Sequence, residues 1–371
     1  MPAWDFDTAM MSNALRMAKR GLGTTAPNPS VGAVIADEAT GEVIARGWTQ
    51  PGGRPHAETE ALRRAGPRAR GATMYVTLEP CAHHGKTPPC VDAIIAAGLK
   101  RVVVGTGDPD PRTAGQGIAR LRAAGIAVTE GVLDAEARWM ALGHILRVTQ
   151  KRPFVQVKIA LANDGSVHRG HAGQPIIVTG PQARAQGHLM RAEADAILVG
   201  RRTVIDDNPA LTCRLPGLRS RSPVKVVVSS SARDLGRSTL AASAGDTPLW
   251  IFCGPEASSS DVAALESAGA RVFHTAVTAG KVAIPAVAER LAGEGMTRLL
   301  VEGGPEIWHS FARAGLVDEA VVFHAHVDGY AIKFYQQSAG NALQHYLPGA
   351  SLEAVESRRV GRDAMLIHRR S

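Results

Sequence analysis

His56-Ala57-Glu58, followed by Pro80-Cys81 and, nine residues later, by Cys90, narrows the possible folds of this chain more than any other feature. One imidazole and two thiolates leave a tetrahedral Zn²⁺ with one open position for water, the arrangement of a catalytic rather than a structural site. Glu58 is not needed as a ligand. It is free to take a proton from the zinc water and hand it to a leaving amine. The flanking patterns suit such a centre. His56 opens the helical stretch 56–65 (HAETEALRRA), Cys81 follows the β-rich run ATMYVTLEP, and Cys90 precedes helical VDAIIAAG. Two helix N-termini meeting at the end of a strand favour thiolates and an anionic hydroxide.

The order H-x-E, P-C, C is that of zinc deaminases, which attack an amidine-like ring carbon. H-x-E alone arises by chance and a pair of Cys proves little. The combination with these elements sets aside the plainer reading of a core His beside two ordinary buried Cys. A Cys81–Cys90 disulfide is not expected, because the start MPAWDFDTAM carries two Asp and no basic segment of a secretory signal. The other cysteines, Cys213 and Cys253, lie far from any partner in sequence, which suits a reducing cytoplasm.

At 371 residues the chain is too long for one ordinary domain, and 45% hydrophobic content supports two cores. No apolar run approaches membrane-spanning length. The net charge of +8 raises the question of nucleic acid. Residues 1–150 carry 17 basic and 14 acidic side chains and the remainder 25 and 20, so the excess is dispersed. Aromatic content of 4% leaves few stacking platforms for single strands. Mild basicity fits a phosphorylated small molecule at least as well as a polyanion.

Strands and helices alternate through the first half. A helix is expected over 7–20 with Met10, Ala14, Met17 and Ala18 on one face. Strands are expected at VGAVIA, Glu42–Gly47, Tyr75–Leu78 and Val102–Gly105, and helices at 56–65, 91–97 and 115–124. The result is a three-layer α/β/α sandwich on a mixed sheet. The pattern restarts near 150, where VTQKRP precedes FVQVKIAL. The expected domains are therefore 1–150 and 151–371. The second offers strands at 154–161, 196–200, 224–229, 248–253 and 298–302, several leading into turns and helices as βαβ units do.

In the first half, Asn28 of PNPSVG could bond a substrate ring or ribose, with Gly32 allowing close approach. The loop between the cysteines, AHHGKTPP, offers His83, His84, Lys86 and Thr87 as donors for a phosphate or polar ring atoms, or else is simply solvated. PNPSVGAV, GGRPHAE, TLEPCAHHGKTPPC and DPDPRTAGQG, in this order, resemble the deaminase half of the bifunctional riboflavin-biosynthesis deaminase/reductases. The eight-residue spacer between the cysteines separates that family from deaminases with a short C-x-x-C. The resemblance covers almost all of 1–150. It implies a cytidine-deaminase-like fold, zinc on His56, Cys81 and Cys90, and Glu58 as proton shuttle. The implied substrate is 2,5-diamino-6-(5-phosphoribosylamino)pyrimidin-4-one, which loses its 2-amino group.

The second half has no G-x-G-x-x-G. Its informative pieces are Lys158, Asp164-Gly165, TGPQAR at 179–184, Arg191, VGRRTVIDDNPALTCR at 199–214 and VEGGPE at 301–306. Gly303-Gly304 would let backbone N–H groups approach a pyrophosphate, or form only a tight corner. Together these resemble the reductase half of the same family, a dihydrofolate-reductase-like domain using NADPH. The resemblance implies cofactor contacts from Thr203, Asp207, Ser230, Gly303, Gly304, Pro305, Glu306 and Ile307. It implies substrate contacts from Arg191, Leu211, Arg214 and Glu302, the arginines taking the phosphate. Hydride to C1 of the opened ribosyl group would give a ribityl chain. Lys158, Asp207 and Glu302 are the ionisable candidates for the proton step, although Lys158 could be a strand-end surface lysine.

This half departs from the family pattern. Ala162-Asn163 stand where S-L precedes D-G, and Pro175 and Ile177 replace a phosphate-binding Ser and a cofactor-packing Trp. His324 and His326 alternate on an expected strand and so face one side; they read as family drift, not as a second metal site. The expectation is a cytoplasmic, self-associating bifunctional enzyme that acts on a small molecule. The rivals are a degenerate second domain that only binds substrate or builds an oligomer, a nucleic-acid deaminase, and a zinc-stabilised binding module.

Overall fold

The computed structural model describes residues 5–168, 170, 171, 173, 174, 176–326 and 343–370. The chain divides after Arg152 into two compact units.

The first unit runs α1 (Phe6–Lys19), β1 (Gly32–Ala36), β2 (Val43–Trp48), α2 (Ala57–Ala65), β3 (Thr73–Leu78), α3 (Cys90–Ala97), β4 (Arg101–Thr106), α4 (Gln116–Ala123), β5 (Ala127–Glu130) and α5 (Asp134–Gln150). Asp5 starts α1 by accepting the Thr8 N–H at 2.7 Å, satisfying one of the donors a helix start leaves free. The sheet order is β2-β1-β3-β4-β5. β1 is antiparallel to β2 and β3, whereas β3, β4 and β5 are parallel. Alternation along β1 sends Ala33 and Ile35 into one core with Ala57 and Ala61 of α2, and Val34 and Ala36 into another with Met10 and Met11 of α1. Helices therefore cover both faces of a mixed sheet. A Cβ on Gly32 would fall 1.9 Å from the Ala14 carbonyl, so the space reserved for a ligand in the sequence reading belongs to α1. β5 and α5 are not among the expected elements, because AVTE and the mixed run after it carry weak periodicity.

The second unit runs β6 (Phe154–Leu161), α6 (Pro181–Ala192), β7 (Ala196–Gly200), α7 (Arg201–Asp207), β8 (Val224–Val228), α8 (Thr239–Ala242), β9 (Leu249–Cys253), α9 (Ser259–Ser267), β10 (Arg271–His274), β11 (Val277–Thr278), β12 (Lys281–Val282), α10 (Ile284–Gly293), β13 (Arg298–Val301), α11 (Pro305–Arg313), β14 (Glu319–His324), β15 (Leu352–Val360) and β16 (Asp363–Arg370). Its large sheet has the order β10-β9-β8-β7-β13-β6-β14-β16-β15. It is parallel up to β14 and closes with an antiparallel hairpin. Ala196 and Leu198 of β7 enter one hydrophobic cluster, and Ile197 and Val199 the other. Burial on both faces explains the nearly continuous apolar strands.

His324 and His326 do not share a strand face. β14 ends at His324, and His326 sits beyond it at φ 52°. Burial and the neighbouring His368 push the His324 imidazole down to about 4; burial lowers His368 as well. The folded unit thus binds fewer protons than the unfolded chain as pH falls from about 6.5 to 4. Stability is intact above that window and declines through it, by up to about 3 kcal/mol for His324. Thermal unfolding followed from pH 7 to pH 4 should show the decline, and His324→Phe should flatten it. An unchanged slope in the variant would refute the assignment to His324.

Candidate active sites

In the first unit, His56 caps α2 and does not begin it, Cys81 follows β3, and Cys90 is the first residue of α3. His56 Nδ1 lies 3.7 Å from Cys81 Sγ and 3.3 Å from Cys90 Sγ. All three donor atoms lie within 4.8 Å of one another. Tetrahedral zinc with ordinary bond lengths needs S···S and S···N edges of about 3.8 and 3.6 Å. The three residues fit that ion. The Cys90 backbone N–H at the start of α3 donates to Cys81 Sγ at 3.3 Å. Hydrogen bonds from Cys90 and His56 hold the Cys81 thiol down to about 4 despite its burial. The Cys90 thiol is pushed up by its Cys81 neighbour and by burial.

Glu58 is buried in the first turn of α2, close enough to His56 and Cys81 to feel their charges. Burial raises it to about 7, against the pull of His56. A carboxyl so placed can carry a proton at neutral pH.

The structure also shows partners that the sequence reading missed. Buried Glu79 accepts the N–H groups of Gly115 at 3.0 Å, Gly117 at 3.0 Å, Ile118 at 3.3 Å and Asp108 at 3.4 Å, fastening the DPDPRTAGQG segment to the end of β3. His144 braces Asp108 at 3.0 Å, and His83 meets Thr113 at 3.2 Å. Arg54, two residues before His56, donates to the Thr87 hydroxyl and so ties GGRPH to the inter-cysteine loop. The lone Glu in TLEPC was the available signal for the first of these. Asn28 donates to the Gly53 carbonyl at 2.8 Å, which commits its amide nitrogen to the turn before His56. Lys86 and Thr87 are exposed.

In the second unit, a cleft of about 940 Å³ opens at the carboxyl ends of β6, β7, β8 and β13, the usual ligand position in parallel sheets. Its size is at the upper end of small-molecule sites and leaves room for more than one ligand. Lys158, Thr203, Asp207, Ser230 and Arg214 reach its wall, as do Glu302, Gly303, Gly304, Glu306 and Ile307. Ser230 donates to the Gly280 carbonyl at 3.0 Å. A Cβ on Gly303 would lie 2.9 Å from Ile307, whereas one on Gly304 would meet nothing. Only Gly304 therefore leaves room for a ligand beside the turn. Hydroxyl donors, cations and this turn form a donor set suited to an anionic dinucleotide.

Three expected contacts lie elsewhere. Pro305 begins α11 and is not on the cleft wall. Leu211 is 2% exposed and packs into a hydrophobic cluster. Arg191 turns to Glu302, with Nε and Nη2 at 2.7 and 2.8 Å from its two carboxylate oxygens, and Nη1 donates to the Thr212 carbonyl at 3.0 Å. Burial would raise Glu302, but Arg191 outweighs it and holds the carboxyl near 2. Glu302 is therefore an anion at neutral pH and not a proton donor. Lys158 Nζ stands 3.9 Å from it. Asp207 accepts the Gly170 N–H at 2.8 Å, and burial raises its carboxyl. Ala162 bonds Ser166 in the Asp164-Gly165 turn, and Ile177 lines the cleft at 69% exposure. Pro175 lies outside the described residues.

Residues 5–106 match the cytidine and deoxycytidylate deaminase zinc-binding region, and residues 153–327 match the RibD C-terminal domain. The chain is 38% identical over 330 residues to the riboflavin biosynthesis protein RibD of Escherichia coli (strain K12), covering 86% of this chain and 87% of that protein. It is also 38% identical over 321 residues to RibD of Aquifex aeolicus (strain VF5), with the same coverage. A solved diaminohydroxyphosphoribosylaminopyrimidine deaminase/5-amino-6-(5-phosphoribosylamino)uracil reductase from Thermotoga maritima is similar at a TM-score of 0.80 and 31% identity, covering 99% of both chains.

Proposed function

This chain belongs to the RibD family of riboflavin biosynthesis, the bifunctional deaminase/reductases, and from that premise we propose the substrate and the role of each site residue. The enzyme deaminates 2,5-diamino-6-(5-phosphoribosylamino)pyrimidin-4-one within residues 1–150, then reduces the ribosyl group within 151–371. The observation that carries the first step is the His56, Cys81, Cys90 triplet with buried Glu58 against it.

His56, Cys81 and Cys90 hold zinc, which when bound supplies a water acidified to near-neutral pKa. Glu58 takes the proton of the attacking water and returns it to the departing 2-amino group, so that ammonia leaves neutral. Asn28, Lys86 and Thr87 orient the substrate, Asn28 through its amide oxygen. In the second unit NADPH, when bound, supplies the hydride. Thr203, Ser230, Gly303, Gly304, Glu306 and Ile307 hold it. Lys158 protonates the ring oxygen as the sugar opens, and ionised Glu302 keeps that ammonium in place. Asp207 positions the segment around Gly170. Arg214 contacts the substrate.

Among the described residues no helix is long and apolar enough to cross a membrane. All four cysteines are free, which supports a reducing, cytoplasmic setting. We also propose a homo-oligomer. β15 ends the large sheet and carries Val355 at 50% exposure, a strand edge that a second copy could cover.

A coupled assay on zinc-loaded protein tests the assignment. Ammonia release followed by NADPH oxidation at a one-to-one ratio is the expected result. Ammonia without NADPH oxidation would remove the second activity, and no ammonia from zinc-replete protein would overturn the first.

A further inference from the structure

The β11–β12 hairpin stands apart from the large sheet. Val277 pairs with Val282 and Thr278 with Lys281 across a two-residue turn. Ala279 and Gly280 make that turn at φ 50° and 75°, the left-handed conformations a tight hairpin of primed type requires. Its root is fixed: the Ala283 N–H donates to the Ala276 carbonyl at 2.8 Å, and Val282 is buried in the hydrophobic cluster with Ile284. Its tip reaches two other segments. The Gly280 carbonyl accepts the Ser230 hydroxyl at 3.0 Å, and Lys281 Nζ meets Glu306 Oε1 at 2.5 Å. Ser230 follows β8, and Glu306 lies in the first turn of α11. Ser230, Lys281 and Glu306 all stand on the wall of the cleft, as does Gly304. The hairpin therefore straps together the two segments to which the cofactor is assigned above.

The start of α11 is poorly equipped to hold an anion alone. Pro305 brings no N–H, and the N–H groups of Ile307 and Trp308 both donate to the Gly304 carbonyl, at 3.0 and 3.2 Å. Glu306 adds a negative charge to the same turn, on a side chain that is 60% exposed. A diphosphate lying beside Gly304 would meet that charge unless a cation cancelled it. Lys281 supplies the cation. An ammonium carries three N–H donors, so its bond to Glu306 leaves donors to spare.

We propose that Lys281, carried on the tip of this hairpin, is a positioning residue for the reductase cofactor. It neutralises Glu306 and keeps the hairpin strapped across the diphosphate end of the cleft. Cancelling the carboxylate lets the turn accept an anion, and the strap slows escape of what it covers.

This role rests on the reductase reading above, and the test separates the two. NADPH is titrated calorimetrically into full-length wild type, Lys281→Met, Lys281→Arg and the double variant Lys281→Met with Glu306→Gln. Reduction of 5-amino-6-(5-phosphoribosylamino)uracil is followed beside it. Lys281→Met should weaken NADPH binding about 5–20-fold at low salt, the effect of one uncancelled charge near a diphosphate. The difference should shrink as ionic strength rises to about 0.5 M. KM for NADPH should rise in parallel, with kcat and the KM for the pyrimidine substrate within about twofold of wild type. Thermal stability should not move, because both partners of the pair are 60% exposed. Lys281→Arg should match wild type. The double variant should recover affinity to within about threefold of wild type, the remainder being the loosened hairpin.

Unchanged NADPH affinity in Lys281→Met would overturn the proposal. So would a double variant that binds no better than Lys281→Met, which would make Lys281 a direct ligand and not a neutralising partner. If wild type binds NADPH without oxidising it, the reductase reading fails, and the same titrations still decide the role of Lys281. If wild type binds no NADPH, both fall.

Discussion

Glu58→Gln should lower ammonia release by about 10²–10⁴-fold, the range spanned by a lost general acid–base group. The substitution keeps the shape of a side chain that is only 4% exposed. It leaves His56, Cys81 and Cys90 intact, so zinc content should remain one ion per chain. NADPH oxidation supplied with already deaminated substrate should match wild type, because Glu58 lies in the first unit and the reductase cleft is built entirely from the second. Zinc analysis beside the two half-reactions makes the result specific. Full ammonia release in a zinc-replete variant would show that another group carries the proton. Loss of zinc together with activity would make Glu58 a part of the metal site instead.

Glu302→Gln should damage stability and reduction together. The Glu302 side chain is 9% exposed and meets Arg191 in two parallel hydrogen bonds. Removing its charge leaves the Arg191 guanidinium buried without a counter-ion, a change that costs about 3–5 kcal/mol in comparable pairs. Chemical denaturation should register a loss of that size. Lys158, 3.9 Å away, loses the anion that holds it, and a displaced proton donor lowers kcat by about 10²-fold. The double variant Arg191→Met with Glu302→Leu should recover much of the stability but none of the rate, since apolar replacement removes the unpaired charge without restoring the anion. Recovery of both would mean that the pair only supports the fold. The same carboxyl is held near 2, below its ordinary 4.5. Its stabilisation is therefore complete above about pH 4.5 and fades as pH falls toward 2. That loss follows on from the window of His324, so the stability of the second unit should fall with pH in two successive stages, and Glu302→Gln should remove the lower one.

The zinc site was readable without coordinates because its donors sit on short local signals. A residue before a helix, a Pro-Cys after a buried strand and a Cys opening the next helix are each set by a few neighbouring residues. The βα alternation likewise produced the strands on which both sites rest. Strands such as VGAVIA and AILVG are apolar along their whole length, which a sheet covered on both faces requires, whether its pairing is antiparallel or parallel. Weakly patterned pieces were less legible. EAVVFH reads as part of a longer strand carrying two histidines, and only its pairing with β6 on one side and β16 on the other decides that it stops at His324.

What the sequence determined by itself was chemical identity: which side chains can bind zinc, move a proton or meet a phosphate. What the tertiary structure decided was which of them are available. Arg191 and Glu302 lie 111 residues apart, and nothing local indicates that each occupies the other. The same holds for Glu79 with the amides near residue 117, for Leu211 in its hydrophobic cluster and for Gly32 under α1. Availability depends on pairing and burial between distant segments. Those are settled by how helices and strands pack, not by the residues that flank each position.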